Sequence, residues 1–380
     1  MAVTTSSLHF HHHLLRRQTP LCLPSLRKPT CLLLTKDRNK NRALKSSLAE
    51  QCQSQGQDLK LKGLVDFLYD DLPHLFDDQG IDPSMYDDRV NFRDPITKHD
   101  TIGGYLFNIR LLKGLFDPKF ELHSVRQTGP YEITTRWTMV MTFVLLPWKP
   151  QLVFTGVSIM GVNPKTQKFC SHMDRWDSIQ NNDYFSLEGF IDVFKQLRFY
   201  KTPDLESPKY QILKRTANYE VRKYEPFLVA ETKADKLSGS SGFNDVTGYI
   251  FGKNSATEKI PMTTPVFTQA LDNELSEVSI QIVLPLSKEL DNLPAPNTEA
   301  VKLRKVEGCI VAAMKFSGTT NEELVCNKEK ELRSALLNDG LKPQNGCMLA
   351  RYNDPGRTWS FIMGLKRKNL SFPSFDHPYS

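Results

Sequence analysis

No run of 18 apolar residues occurs in the chain, so no segment reads as a membrane-spanning helix. CxxC and CxxCH are both missing, and the seven cysteines are widely spaced, with Cys22, Cys31 and Cys52 near the start. Neither a disulfide scaffold nor thioether attachment of a prosthetic group is expected; the thiols should be reduced and mostly buried. A nucleophile elbow, a P-loop, a dinucleotide fingerprint and HExxH are also absent. Histidine stops at His172 and returns only at His377, so more than half of the chain offers no imidazole.

Acidic residues are nearly missing from residues 1–49, which hold Asp37 against nine Lys/Arg and ten Ser/Thr. That composition reads as an organelle transit peptide over residues 1–46, with the Met-Ala start and Ser-rich opening favouring a plastid. A longer apolar core would be needed for a secretory signal. The remainder carries 40 basic and 42 acidic residues. The folded body is thus near neutral and lacks the basic footprint of a nucleic-acid binder. Ordinary globular composition, 39% hydrophobic and 24% charged, leaves room for one large or two medium domains.

Residues 60–200 read as one unit. Leu61, Leu64, Val65, Leu68, Leu72 and Leu75 recur at helical spacing. A turn-rich piece follows, and residues 89–95 lead into a second helix over 101–116. Strand-like runs cover 119–127, 131–146, 151–163 and 167–179, with Ile133, Thr135, Trp137, Met139 and Met141 alternating onto one face. Two helices followed by a curved antiparallel sheet give an α+β cone. The phrase YDDRVNFRDP (86–95), the helix with Gly103, Gly104 and Phe116, and SHMDRWD (171–177) resemble the nuclear-transport-factor-two-like superfamily, in detail a plant domain of unknown function. The resemblance implies a cavity that often buries an Asp/His pair, and Asp94, His99, His123, His172 and Asp174 are available. His172 and Asp174 stand two apart, so on a strand they share a face and could act as an acid–base pair. A salt-bridged or surface pair fits the same two residues, and an interaction or scaffolding module fits the domain.

Residues 201–208 carry two prolines and no apolar periodicity, as a linker would. The second unit, 209–374, repeats itself. VRKYEPFLVAETKAD (221–235) and LRKVEGCIVAAMKFS (303–317) share six of fifteen residues at a constant offset of 82. Each copy continues with a helical stretch (242–254 or 321–339) and an extended segment, which suggests a pseudo-symmetric sheet closing into a barrel with two helices outside. YEVRKYEPFLVAET, GYIFGKN with KIPMTTPV, KFSGTTNEE and LARYNDP followed by KRKNL resemble the SOUL haem-binding family over residues 209–372. With the first unit and the leader, the chain resembles the chloroplastic plant members.

That resemblance implies a twisted β-barrel with two flanking α-helices and non-covalent binding of haem or other porphyrins. It points away from catalysis and toward a carrier, with a haem-degrading or haem-using plastid enzyme as the implied partner. The ligand is expected against the stretch Phe243–Met262. Within it Phe243, Val246, Tyr249 and Ile250 form a helical apolar stripe that could pack on the barrel and also face a ligand. Lys253 and Lys259 could approach the propionates, and Met262 is available to iron. Other readings are a small-molecule enzyme in the cone and a protein of plastid lipid particles. In EKIPMTTPVF (258–267), Pro261 and Pro265 each lack a backbone N–H, so this segment is expected to be extended and edge-like, with one rim open.

Overall fold

The computed structural model describes residues 61–197, 205–238, 241–272, 277–317, 321–352 and 359–365. The expected transit peptide and residues 201–204 of the expected linker lie outside them. The four linker residues that are described run along the barrel: Thr264 N donates to Glu206 O at 2.8 Å, and Glu206 Oε1 accepts from Leu286 N at 2.9 Å.

The first helix, α1 (61–71), turns Leu61, Leu64 and Leu68 onto one buried face, and a 3-10 turn at Leu72–His74 ends it around Pro73. Helix α2 (Ile102–Leu115) starts at Thr101, whose Oγ1 accepts from Gly104 N at 3.1 Å. Beneath the helices curls a sheet of β1 (Tyr86–Arg93), β2 (Lys98–His99), β3 (Phe116–Gly129), β4 (Glu132–Phe143), β5 (Gln151–Val162) and β6 (Phe169–Trp176). Its order is β2-β1-β6-β5-β4-β3, with β1 parallel to β6 and the other pairs antiparallel. The alternation expected on β4 holds, with Ile133, Thr135 and Trp137 all buried. Two elements differ from the sequence reading. Residues 89–93 extend β1 rather than leading directly into a helix, and a further helix, α3 (Leu187–Gln196), closes the unit.

The second unit contains β7 (Tyr210–Arg215), β8 (Glu220–Tyr224), β9 (Phe227–Ala234), α4 (Phe243–Ile250), β10 (Val266–Ala270), β11 (Val278–Val283), β12 (Lys302–Val306), β13 (Cys309–Phe316), α5 (Glu322–Asn338), β14 (Cys347–Arg351) and β15 (Trp359–Gly364). The sheet order β12-β9-β11-β10-β14-β15-β13-β8-β7 reads the same from either end once β7 is set aside and the repeats are exchanged. β8 pairs with β13 of the second copy, and β12 pairs with β9 of the first. Period-2 alternation then divides the side chains between two faces. Tyr224, Phe227, Val229, Phe267, Val283, Val311, Ala313, Ala350 and Ile362, from seven strands, share one cluster inside the curled sheet. Intervening residues turn outward: Ala230, Ile280 and Ile282 under α4, and Ala312, Met314, Leu349 and Met363 under α5.

The expected open rim at EKIPMTTPVF is not there. Both prolines precede β10, so no ladder bond is lost, and β10 is paired on both sides by β11 and β14. Cone and barrel belong to one compact unit and meet along β7. Arg215 N donates to Thr155 Oγ1 at 2.8 Å, and the Arg215 guanidinium grips Asp192 of α3 at 2.8 and 2.9 Å. Thr138 Oγ1 reaches Ile212 O at 2.6 Å, and Arg136 bridges Asp177 and Leu213 O.

Candidate ligand sites

The barrel interior is filled by its own side chains. Arg222 is fully buried, donates from Nε and Nη2 to Glu220 Oε2 at 2.9 and 2.8 Å, and lies 4.6 Å from the Tyr210 ring centre. Burial opposes the Glu220 charge, but Lys315 and Arg222 override it and hold the carboxyl well below the usual range. A ligand must therefore be sought on the outer face.

There, α4 begins at Gly242, with φ of 76°. A Cβ at this position would stand 2.5 Å from Lys233 O, so glycine allows both the left-handed turn and the close approach to β9. Val246, Tyr249 and Ile250 are 0–3% exposed and pack on Ile280, Ile282, Leu284 and Val301, while Tyr249 Oη donates to Pro294 O. This part of the expected stripe faces the barrel. Phe243 looks outward, as does Phe251, eight residues on and on the same side of the helix. The following loop folds back, with Ile260 N on Ile250 O at 2.8 Å. Asn254 ties it by donating to Tyr249 O and Glu258 O. Lys253 lies over Gly248, its Cδ 3.0 Å from where a Cβ would sit. Lys259 and Met262 are exposed where the loop rejoins the barrel. Phe251 is an exposed aromatic that the sequence reading did not single out; its four-residue steps from Phe243 through Thr247 were the available clue.

The cone holds a cavity of about 60 Å³ between α2, the turn after α1 and the inner face of the sheet. Most of its wall is apolar, from Leu72, Phe76, Ile109, Phe120, Met139 and Trp176. Asp94, His172 and Asp174 meet on that wall as the sequence suggested, joined by Tyr105, Asn108 and Ser158. His172 Nε2 lies 3.0 Å from Asp174 Oδ1, and the imidazole is held edge-on by Phe92 and Tyr105. Ser158 Oγ donates to the same Oδ1 at 2.6 Å and accepts from Trp137 Nε1 at 2.8 Å. Gly156 lies beside this group, where a Cβ would stand 2.2 Å from Arg175 O of β6 and 3.1 Å from Trp137 Cζ2. Burial, aided by the charge of Asp174, pushes Asp94 up to about 6 despite bonds from Ile96 N, Thr97 N and Thr97 Oγ1. The other two candidates stand elsewhere. His99 stacks on Phe92 beyond the cavity, and His123 on β3 contacts Thr138, pushed down to about 4 by burial and Arg136.

Comparison with known proteins divides the chain at the same place. Residues 205–362 match the family described as SOUL heme-binding protein, and residues 62–172 match an uncharacterized conserved family, DUF2358. "Heme-binding protein 2" of Mus musculus is 28% identical over 157 residues, 38% of this chain and 74% of the relative. The Homo sapiens protein of that name is 26% identical over 165 residues, 41% of this chain and 77% of the relative. Among solved structures, an NTF2-like protein of unknown function from Exiguobacterium sp. 255-15 aligns with 25% of this chain and 80% of its own, at 16% identity and a TM-score of 0.22. The EcmrR C-terminal domain aligns with 41% and 98%, at 11% identity and 0.30. In this chain a DUF2358 domain is joined to a C-terminal SOUL heme-binding domain.

Proposed function

We propose that the chain binds haem or a related tetrapyrrole non-covalently and reversibly on the outward side of α4, and works as a carrier or buffer. The carrying observation is the SOUL match over residues 205–362, the stretch that builds this surface. Phe243 and Phe251 would lie along the flat ligand, with Thr247 and Gly248 between them. Lys253 and Lys259 would meet the propionates, and Val246, Tyr249 and Ile250 would hold the helix in place. The residues fit a macrocycle held by stacking and charge; bound haem would supply the iron, and Met262 is the sulfur at hand. A porphyrin face burying ~400 Å² of apolar surface gains ~10 kcal/mol, against an association cost of ~4–15 kcal/mol. The two nearly cancel, and loose binding suits a cargo that must be released.

The Ser- and Arg-rich leader supports import into a chloroplast, with the stroma as the working compartment and a haem-degrading or haem-using enzyme as the recipient. Titration of the chain with hemin tests the reading. A saturable Soret change is expected at ~10 μM protein, and a spectrum unchanged from free hemin would overturn it. Met262→Ala should move the Soret band if sulfur reaches iron; an unmoved band with unchanged affinity would remove that contact.

A further inference from the structure

Helix α3 is built inside out. Its inward side is polar: Asp192 grips the Arg215 guanidinium and accepts from Ser178 Oγ, and Gln196 Oε1 accepts from Val153 N at 2.7 Å. Those bonds hold α3 on the fold and ask nothing of its outer side. Yet Leu187, Ile191 and Phe194 recur there at i, i+4 and i+7, an apolar stripe of helical period turned to solvent. Tyr184 and Phe185 extend it past the N-cap Ser186, with the Phe185 ring edge-on to Phe190 at 5.2 Å. Phe185, Leu187 and Phe194 are 68–73% exposed. Phe185 also stands at a φ of 64°, in the left-handed region that a bulky side chain rarely adopts. Glycine would sit there without strain, so the ring is presented against the preference of its own backbone.

We infer that this face is the interface of a two-fold homodimer, with α3 packed antiparallel on α3 of a second copy. Tyr184, Phe185, Leu187, Ile191 and Phe194 leave roughly 500–600 Å² of apolar surface open on each copy, at ~150–250 Å² for a whole aromatic side chain and somewhat less for an aliphatic one. A standard interface buries ~800 Å² per partner, about 65% of it apolar between like subunits, or roughly 500 Å². The stripe alone meets that need. Charge sets the direction. Glu188 and Lys195 are seven residues apart, about two helical turns, and so flank the stripe along one edge. A two-fold axis across the helices sets Glu188 of each copy against Lys195 of the other, at both ends of the pair. Gln180 N and Asn181 N already hold the Glu188 carboxylate in place, at 2.9 and 3.1 Å. An anionic membrane surface fits this face less well, since the exposed charges of the helix, Glu188 and Lys195, cancel. The inference does not depend on the haem reading.

Sedimentation of the full chain tests the inference. At ~10 μM, a mass twice the 43.5 kDa of one chain is expected. Phe194→Asp, on a side chain outside the core, should weaken the pair ~100-fold or more, because each interface carries the change twice. Should that variant fail to fold, Phe185→Gly, which relieves the left-handed backbone, should keep the melting temperature of the dilute chain and still weaken the pair several-fold. Glu188→Lys and Lys195→Glu should each weaken self-association about ten-fold, and an equal mixture of the two should restore it, since an antiparallel pair brings the exchanged charges together. A chain that sediments singly at ~100 μM would overturn the proposal, as would a dimer indifferent to Phe194→Asp. A single chain that instead cosediments with phosphatidylcholine vesicles, and no longer does so as Phe194→Asp, would overturn it in favour of a lipid surface. A mixture no tighter than its two components would overturn the antiparallel arrangement.

Discussion

Glu220 and Arg222 face each other inside the barrel with little water to share their charges. Glu220→Gln would leave the Arg222 guanidinium buried without its counter-charge, and a loss of about 3–5 kcal/mol is expected in urea unfolding. Replacing both partners by apolar residues should cost much less. Asp94 gives a pH dependence of the opposite kind. Its folded-state pKa of about 6 lies above the ordinary 3.8, so the fold favours the protonated form. The stability from this group is complete below about pH 4, falls as the pH rises to about 6, and is then level. Asp94→Asn should therefore gain on the natural protein across that interval, by at most about 3 kcal/mol, in melting curves taken from pH 4 to 7. The sequence displays His172 and Asp174 as neighbours because strand alternation is local. It cannot display Ser158 or Trp137 beside them, since those arrive through the register of β4, β5 and β6.

At the scale of elements, helices with a buried stripe were legible and those without one were not. Leu61, Leu64 and Leu68 announce α1 because they all point inward. In α3 the pattern is inverted: Leu187 and Phe194 are 73% and 68% exposed, while Asp192 turns in to meet Arg215 and Ser178. A reader who looks for apolar-in, polar-out periodicity passes over it. β1 hides for a related reason, as only Tyr86, Val90 and Phe92 are buried among its charged neighbours. The repeat, by contrast, displayed the strand–helix–strand order of the barrel: α5 falls within a residue of the expected 321–339, while α4 is shorter than the expected 242–254. On α4 the two faces should separate by experiment. Ile250→Ala should cost about 2–5 kcal/mol of stability through the cavity it opens. Phe251→Ala, on the exposed face, should leave the melting temperature within a degree or two and weaken hemin binding several-fold. Unchanged hemin affinity in Phe251→Ala would remove this face from the site.

For the whole molecule, β7 decides how the domains behave. It pairs with β8 in the barrel sheet and is held by Thr138, Thr155 and Asp192 of the cone. Calorimetry of the chain should show one transition, and Asp192→Ala should split it in two by loosening the seam; a single, uniformly lowered transition would mean that the domains stay coupled by other contacts. The exchange of strands between the repeats has a consequence for synthesis. When the ribosome has delivered β8 and β9, their second-repeat partners β13 and β12 do not yet exist. The cone can assemble while translation continues, and the first repeat can pair within itself, β7 with β8 and β11 with β9 and β10, but the barrel cannot close until the second repeat has been delivered.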